Sequence, residues 1–157
     1  MLNFDQITSN IYVGSAPYTA EDVERLKQVA VTSVISLQSD EDLTARKIDW
    51  SKLQIAYADA GISAQRFPIN DFDENDLADK IVEPICALDV LLKQGDQVYV
   101  HCNAGMCRAP SVVLGYLCYY QSLSIESGAM QIRNARRVAN PFHSAVHIAL
   151  QALAENN

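Results

Sequence analysis

No part of the chain reaches the run of about 18 apolar residues that a membrane-spanning helix needs. The N-terminus, Met1-Leu2-Asn3-Phe4-Asp5, lacks the basic and apolar regions of a secretory signal. A cytoplasmic protein with no stable membrane association is the expectation. Cysteines are few, at positions 86, 102, 107 and 118. In a reducing compartment they start as thiols, and with the three histidines they form no zinc-ligand spacing, so no metal is expected. Positive charge is also scarce. Twelve Lys and Arg face 19 Asp and Glu, and the net charge of −7 argues against nucleic acid or an acidic leaflet as partner. Internal repeats, low-complexity tracts and linker-like segments are absent. What remains is a 157-residue chain, 49% apolar, long enough for a proper core. A single domain over 1–157 is expected, and nothing demands more than a monomer.

Hydrophobic patterning divides the chain into alternating elements. Ile11-Tyr12-Val13 before Gly14 reads as a short strand. Thr19 and Asp22 form a capping-box pattern ahead of a helix that buries Val23 and Leu26. Val31 to Leu37 is β-branched and reads as a central strand, whereas 40–48 is polar and carries no clear element. Trp50, Leu53, Tyr57 and Ala60 recur at helical spacing until Gly61, with Trp50 as a core or semi-core anchor. Gln65 to Ile69 reads as a strand towards the sheet edge, because Pro68 removes a donor. After an acidic loop at 70–76, a helix is expected over 77–94, kinked at Pro84. A strand from Val98 and a buried helix over 110–120, opening on Pro110, follow. Ser124 caps a helix running towards Arg137, and Phe142, Val146, Leu150 and Leu153 stripe the last one. The fold class is α/β, with a central, mostly parallel sheet flanked by helices and a helical C-terminal half. Arg133, Arg136 and Arg137 crowd one segment; they read as a solvated helix face or as a local positive site.

The chemistry concentrates in Val98-Tyr99-Val100-His101-Cys102-Asn103-Ala104-Gly105-Met106-Cys107-Arg108-Ala109-Pro110. An apolar strand leads into a turn holding a cysteine, a glycine and an arginine, and a helix starts directly after it. Backbone N–H groups and the helix dipole favour an anion at that place. The same field favours the thiolate form of a cysteine, the nucleophilic one. The pattern points to a site that holds a phosphate and attacks it with sulfur.

His101-Cys102, five residues and then Arg108 resembles the signature of the cysteine-dependent protein-tyrosine and dual-specificity phosphatases, and Ala104-Gly105 ahead of Arg108 resembles the dual-specificity branch. The resemblance implies that Cys102 attacks phosphorus and forms a cysteinyl-phosphate. The amides of Asn103, Ala104, Gly105, Met106 and Cys107 would hold the phosphate together with the planar fork of Arg108. His101 would orient the loop and support the thiolate. The leaving oxygen needs a proton from a carboxylic acid on a separate loop, and members of this family carry it about thirty residues before the cysteine. Asp71 and Asp73 lie 31 and 29 residues before Cys102. The run Asn70-Asp71-Phe72-Asp73 favours Asp71, leaving Asp73, Glu74 and Asp76 as solvated turn carboxylates. No cofactor or metal enters the scheme.

Ala109 stands where most dual-specificity phosphatases have a Ser or Thr whose hydroxyl helps the sulfur leave. The Arg108-Ala109-Pro110 run looks like that of the plant starch (glucan) phosphatases. So do Val13-Gly14-Ser15, Thr19 to Leu26, Ser36-Leu37-Gln38 with Asp40 and Asp42-Leu43, and Asp71-Phe72-Asp73. That likeness makes Phe72 either a glucan contact or a ring that packs the acid loop on the body. Sugar-stacking aromatics are not evident between 40 and 60, and residues 103–107 are neutral, unlike the lysine-rich loops of phosphoinositide phosphatases. The implied function is hydrolysis of phosphomonoesters on phosphoprotein or phosphoglucan. A catalytically inactive phosphate-binding module and a lipid-phosphate phosphatase are the alternatives. Cys107 before Arg108 is similar to the low-molecular-weight tyrosine phosphatases, whose overall arrangement this chain does not share. Either it is a small residue filling space, or it can capture oxidised Cys102 in a reversible disulfide.

Overall fold

The computed structural model describes residues 1–156. Five strands, β1 (Phe4–Thr8), β2 (Ile11–Gly14), β3 (Ser33–Ser36), β4 (Ser63–Arg66) and β5 (Val98–His101), form one sheet in the order β1-β2-β5-β3-β4. Only the β1–β2 hairpin is antiparallel; β2–β5, β5–β3 and β3–β4 are parallel. The expected α/β class with a mostly parallel sheet is what the chain forms; β4 lies on the edge, but it spans Ser63–Arg66 and not the expected 65–69, so Pro68 falls beyond the strand.

Side chains alternate across the sheet and divide the core in two. Tyr99 and Val34 face α1 (Ala20–Gln28) and α3 (Trp50–Asp59), meeting Val23, Leu26, Leu53 and Tyr57. Val98, Val100 and Ile35 face the larger cluster, built with α4 (Glu74–Lys80), α5 (Val82–Lys93), α6 (Arg108–Tyr119), α7 (Ile125–Ala135) and α8 (His143–Glu155). Helix α6 is buried almost all round. Its run of Val112, Val113, Leu114 and Leu117 had no polar face to offer water.

Register places the site. Gly14, His101 and Ser36 lie side by side across three parallel strands, with Arg66 opposite Ser36. The loops after β2, β5, β3 and β4 therefore leave from one end of the sheet. Ligands of open parallel sheets gather at that end, beyond the strand C-termini.

Four further local readings need correction. Strand β1 was not legible, because Phe4-Asp5-Gln6-Ile7-Thr8 is short, half-polar and paired only on one side. The polar 40–48 stretch contains α2 (Asp40–Ala45), opened by a Ser39/Asp42 capping box of the same kind as the Thr19/Asp22 box. The helix expected over 77–94 is two helices meeting at Ile81. Pro84 sits in the first turn of the second, and with no N–H it cannot bond back to Lys80, so the break falls ahead of the proline. Pro110 is the third residue of α6, not the first; first-turn N–H groups lack helical partners anyway, so it costs nothing there.

Tyr57 carries a hydroxyl that is buried without a hydrogen-bond partner. Desolvating such a group costs free energy that its ring does not need to spend. Tyr57→Phe is expected to raise unfolding stability by on the order of 1 kcal/mol, read from urea midpoints at constant m-value; a loss of stability would show that the hydroxyl has a partner after all.

Candidate active site

The loop after β5 is shaped by what its carbonyls bind. His101 Nδ1 donates to Cys102 O at 2.9 Å. Ala16 N donates to Asn103 O at 3.0 Å and Asn140 N to Met106 O at 2.6 Å. Arg136 donates from Nη2 to Ala104 O and from Nε to Gly105 O, each at 2.9 Å. Ser111 Oγ donates to Cys107 O at 2.7 Å. All six carbonyls from 102 to 107 thus face outward onto a donor. Among the described residues, none of the 103–108 amides donates to a protein acceptor, so the N–H groups form the concave face, a backbone nest for an anion. Gly105 makes the curl possible. Its φ is +69°, and a Cβ there would come within 2.5 Å of the Gly14 backbone.

Arg136 answers the question left by the arginine cluster. It is buried, only 2% exposed, and it also bonds Asp5 Oδ2 at 2.9 Å and Asn3 Oδ1 at 2.7 Å. It is neither a solvated face nor a free positive site; it ties the loop to β1 and the N-terminal segment. Arg133 and Arg137 are exposed. Ser111 is the second residue the sequence reading missed. Its hydroxyl accepts from Phe142 N at 2.9 Å, which joins the loop to the start of α8.

Arg108 opens α6 and is 2% exposed. Its Nη1 donates to Asp42 Oδ2 at 2.6 Å, Ile69 O at 2.7 Å and Leu37 O at 3.4 Å. Nε and Nη2 are buried with no hydrogen-bond partner, although Nη2 lies 3.2 Å from Asp71 Oδ2 as an ion pair. One corner of the guanidinium anchors it, and the Nε/Nη2 edge stays available for two oxygens of one phosphate. Asp42 was quoted only as part of a likeness, yet it is the buried counter-ion of this arginine. Burial works against its charge, but hydrogen bonds from Arg108, the Ser39 amide and Asn103 outweigh it and hold its pKa below the ordinary carboxylate value. The signal for Asp42 in the sequence was its place in the Ser39 capping box.

The acidic loop separates its carboxylates by partner. Asp71 reaches Arg108, and it lies 3.4 Å from Asn103 Nδ2. Asp73 accepts from Asp76 N as the N-cap of α4. Asp76 accepts from Asn70 N and pairs with Lys80 at 2.8 Å. Glu74 lies exposed in the first turn of α4. Phe72 is 90% exposed with φ +57°, its N–H turned back onto Asp71 Oδ1 at 3.1 Å. It does not pack the loop onto the body.

Cys102 and Ala109 are both buried. Cys107 is partly buried; burial pushes its thiol pKa up, and negative charge at Cys102 and Asp71 adds to that. All four cysteines are free thiols. No cluster of three or more His, Cys, Asp or Glu with metal-binding geometry occurs among the described residues.

Burial pushes His101 down to a pKa of about 4, so the neutral ring donates from Nδ1. The unfolded chain holds a proton on this histidine below about pH 6.5 that the folded chain does not take up until about pH 4. Stability is therefore expected to fall as pH drops from 6.5 to 4, by on the order of 3 kcal/mol, and the histidine term levels off below. The Asp42 contribution is complete above the ordinary carboxylate value and is lost only on further acidification. Urea unfolding of His101→Gln should lack the slope between pH 4 and 6.5; an unchanged slope would assign it elsewhere.

A model of the family described as "Dual specificity phosphatase, catalytic domain" matches residues 11–151. The chain is 31% identical over 128 residues to the chloroplastic phosphoglucan phosphatase LSF1 of Arabidopsis thaliana, covering 80% of this chain and 21% of that one. It is 30% identical over 129 residues to mouse (Mus musculus) laforin, covering 75% and 39%. It is also 30% identical over 136 residues to the phosphatidylglycerophosphate phosphatase PTPMT2 of Arabidopsis thaliana, covering 85% and 55%. The chain therefore spans only part of the length of these relatives. The crystal structure of PTPMT1 shares the fold, with a TM-score of 0.76 at 22% identity over 99% of this chain and 100% of that one. That of Tk-PTP in its active form gives 0.76 at 19% identity, over 98% and 97%. With the cysteine, the arginine and the inward-facing amides on one loop, and the family model covering nearly the whole chain, the protein belongs to the dual-specificity phosphatase catalytic-domain family.

Proposed function

We propose that the chain hydrolyses phosphomonoesters through a cysteinyl-phosphate. The observation that carries this is the unpartnered Nε/Nη2 edge of Arg108, buried beside a nest of unbonded amides and 3.2 Å from the Asp71 carboxylate. The phosphoryl group takes that edge and the 103–108 amides. Cys102 Sγ, as thiolate, attacks phosphorus; the S–P bond forms as the P–O bond to the leaving group breaks. Asp71 gives its proton to the departing oxygen. The resulting Asp71 carboxylate then takes a proton from the water that cleaves the S–P bond, which restores the thiolate. Ala109 offers no hydroxyl to that leaving sulfur. A module that only bound phosphate would gain nothing from holding a carboxylate against the arginine, because the two anions repel.

The rim favours a neutral scaffold. Met106 and Phe72 are exposed beside the loop, and residues 103–107 bring no cation. Proteins named phosphoglucan phosphatase are among the relatives, which supports phosphoglucan, with Phe72 as a sugar contact, ahead of phosphoprotein. A lipid phosphate is the second reading, supported by the likeness to PTPMT2.

Cys102→Ser should abolish turnover of an aryl phosphate and keep tungstate binding; turnover at the parent rate would refute the mechanism. Asp71→Asn should lose on the order of a hundredfold with poor leaving groups. Asp73→Asn should instead weaken the α4 cap by about 1 kcal/mol. Phosphate release should be faster from phosphoglucan than from a phosphotyrosine peptide or phosphatidylglycerophosphate, and the reverse order would move the substrate assignment.

Peroxide would convert Cys102 to its sulfenic acid; attack by the Cys107 sulfur would then expel water and close a 102–107 disulfide. The reading is supported by both thiols being free on the same loop, with Cys107 only partly buried. Mass spectrometry after mild peroxide should find that bridge, and Cys102 sulfinic acid in its place would end the idea.

A further inference from the structure

The tethers on Asp71 are few. Its Oδ1 accepts only from the next amide in its own turn, Phe72 N. Two groups outside its loop reach it, Arg108 Nη2 at 3.2 Å and Asn103 Nδ2 at 3.4 Å, both at Oδ2. The arginine edge is the one that a phosphoryl group takes. Once it is taken, the Asn103 side chain is the contact left between the acid and the nucleophile loop.

That side chain is itself fixed. Its Oδ1 accepts from Gln38 Nε2 at 2.9 Å, and Gln38 O accepts from Arg66 Nη1 at 3.1 Å. Its Nδ2 also donates to Asp42 Oδ1 at 2.8 Å. A flip of the amide would turn an oxygen towards two carboxylates and two donors towards Gln38 Nε2, so the orientation is set by charge. One amide nitrogen thus stands between the Arg108 counter-ion and the proton donor. It gives a donor to each of two carboxyl groups that a single guanidinium contacts.

We infer that the Asn103 side chain is a positioning group for the Asp71 proton donor, holding the acid against the loop while Arg108 is engaged by the phosphoryl group. This rests on the phosphatase reading. It assigns the side chain a task separate from the backbone amide of the same residue, which belongs to the phosphate nest. The step served is the first one. As the S–P bond forms and the P–O bond breaks, the Asp71 proton passes to the leaving oxygen and Asp71 is left as carboxylate. A misplaced acid hurts most when the leaving oxygen is basic.

The test compares phenyl phosphate, a poor leaving group, with 2,4-dinitrophenyl phosphate, a good one, in Asn103→Ala, Asn103→Ser and Asn103→Asp. The ratio of the two kcat/KM values reports the first step alone and cancels general damage to the loop. It should fall about tenfold in each variant, because general acid catalysis is worth a hundredfold or more. Asn103→Asp, which turns an acceptor towards Asp71, should fall furthest. In an Asp71→Asn background the Asn103→Ala change should leave the ratio where Asp71→Asn alone puts it. A ratio unchanged by Asn103→Ala and Asn103→Ser, or a further fall in the double variant, would overturn the inference. Turnover surviving in Cys102→Ser would instead overturn the phosphatase reading beneath it. Circular dichroism and the tungstate dissociation constant separate a variant that fails to fold from one that misplaces its acid.

Discussion

The structure depends on a guanidinium buried at a sheet end with only one of its corners paid for. Arg108 is 2% exposed, and a charge so placed needs an opposite charge and hydrogen bonds around it. Asp42 and the carbonyls of Ile69 and Leu37 supply both, all to Nη1. Breaking a buried pair of this kind costs on the order of 3–5 kcal/mol. The pairing also fixes three chain segments relative to α6: the end of β3, helix α2, and the approach to the acid loop. Because the anchors share one nitrogen, the opposite edge is held in place without being consumed. Preorganisation of this sort lets an arginine follow phosphate oxygens into a transition state without reorganising.

The backbone nest solves a related problem on a chain of net charge −7. Loop residues 103–107 contain no Lys or Arg, so backbone dipoles provide the positive potential. Amides can converge only if their carbonyls diverge and find donors elsewhere. Arg136 turns two carbonyls outward, and Ala16, Asn140, His101 and Ser111 hold the others. A cation from β1's side of the molecule thus acts on the site without touching ligand. Its charge lies behind the loop, balanced by Asp5 at 2.9 Å.

Much of this was legible in the sequence, and the limits are physical. The Val98 strand, Cys102, Gly105 and Arg108 lie within one short window, where local spacing carries the geometry. Asp71 was picked out by the likeness of Asn70-Asp71-Phe72-Asp73 to the family's acid loop, 31 residues before Cys102, and the fold sets it beside Arg108. Asp42, Arg136, Ser111 and the Asn103 side chain were not, since each works through a partner distant in sequence; Arg136 is 31 residues from Gly105. A capping box in the sequence says that Asp42 starts a helix, but not what else its second oxygen meets. The arginine cluster shows the same limit from the other side: three similar residues, of which packing buries one. Strand β1 escaped notice because pairing with β2, not its own pattern, makes it a strand.

Four aspartates near one sheet end take four different states from their partners. Asp42, wedged against Arg108 and the Ser39 amide, is a fixed anion and cannot serve as a proton donor without losing its contacts. Asp73 spends its carboxylate on the α4 N-terminus, and Asp76 is divided between the Asn70 amide and Lys80. Asp71 alone has one oxygen on a local amide and the other on contacts that a ligand can compete for. Acid–base work needs a carboxyl group whose proton occupancy can change within a turnover. The three committed carboxylates would each have to break structure to do so. Asp71 is thus set apart, as the candidate for that work, less by its distance from the cysteine in sequence than by being the acid whose bonds the fold left provisional.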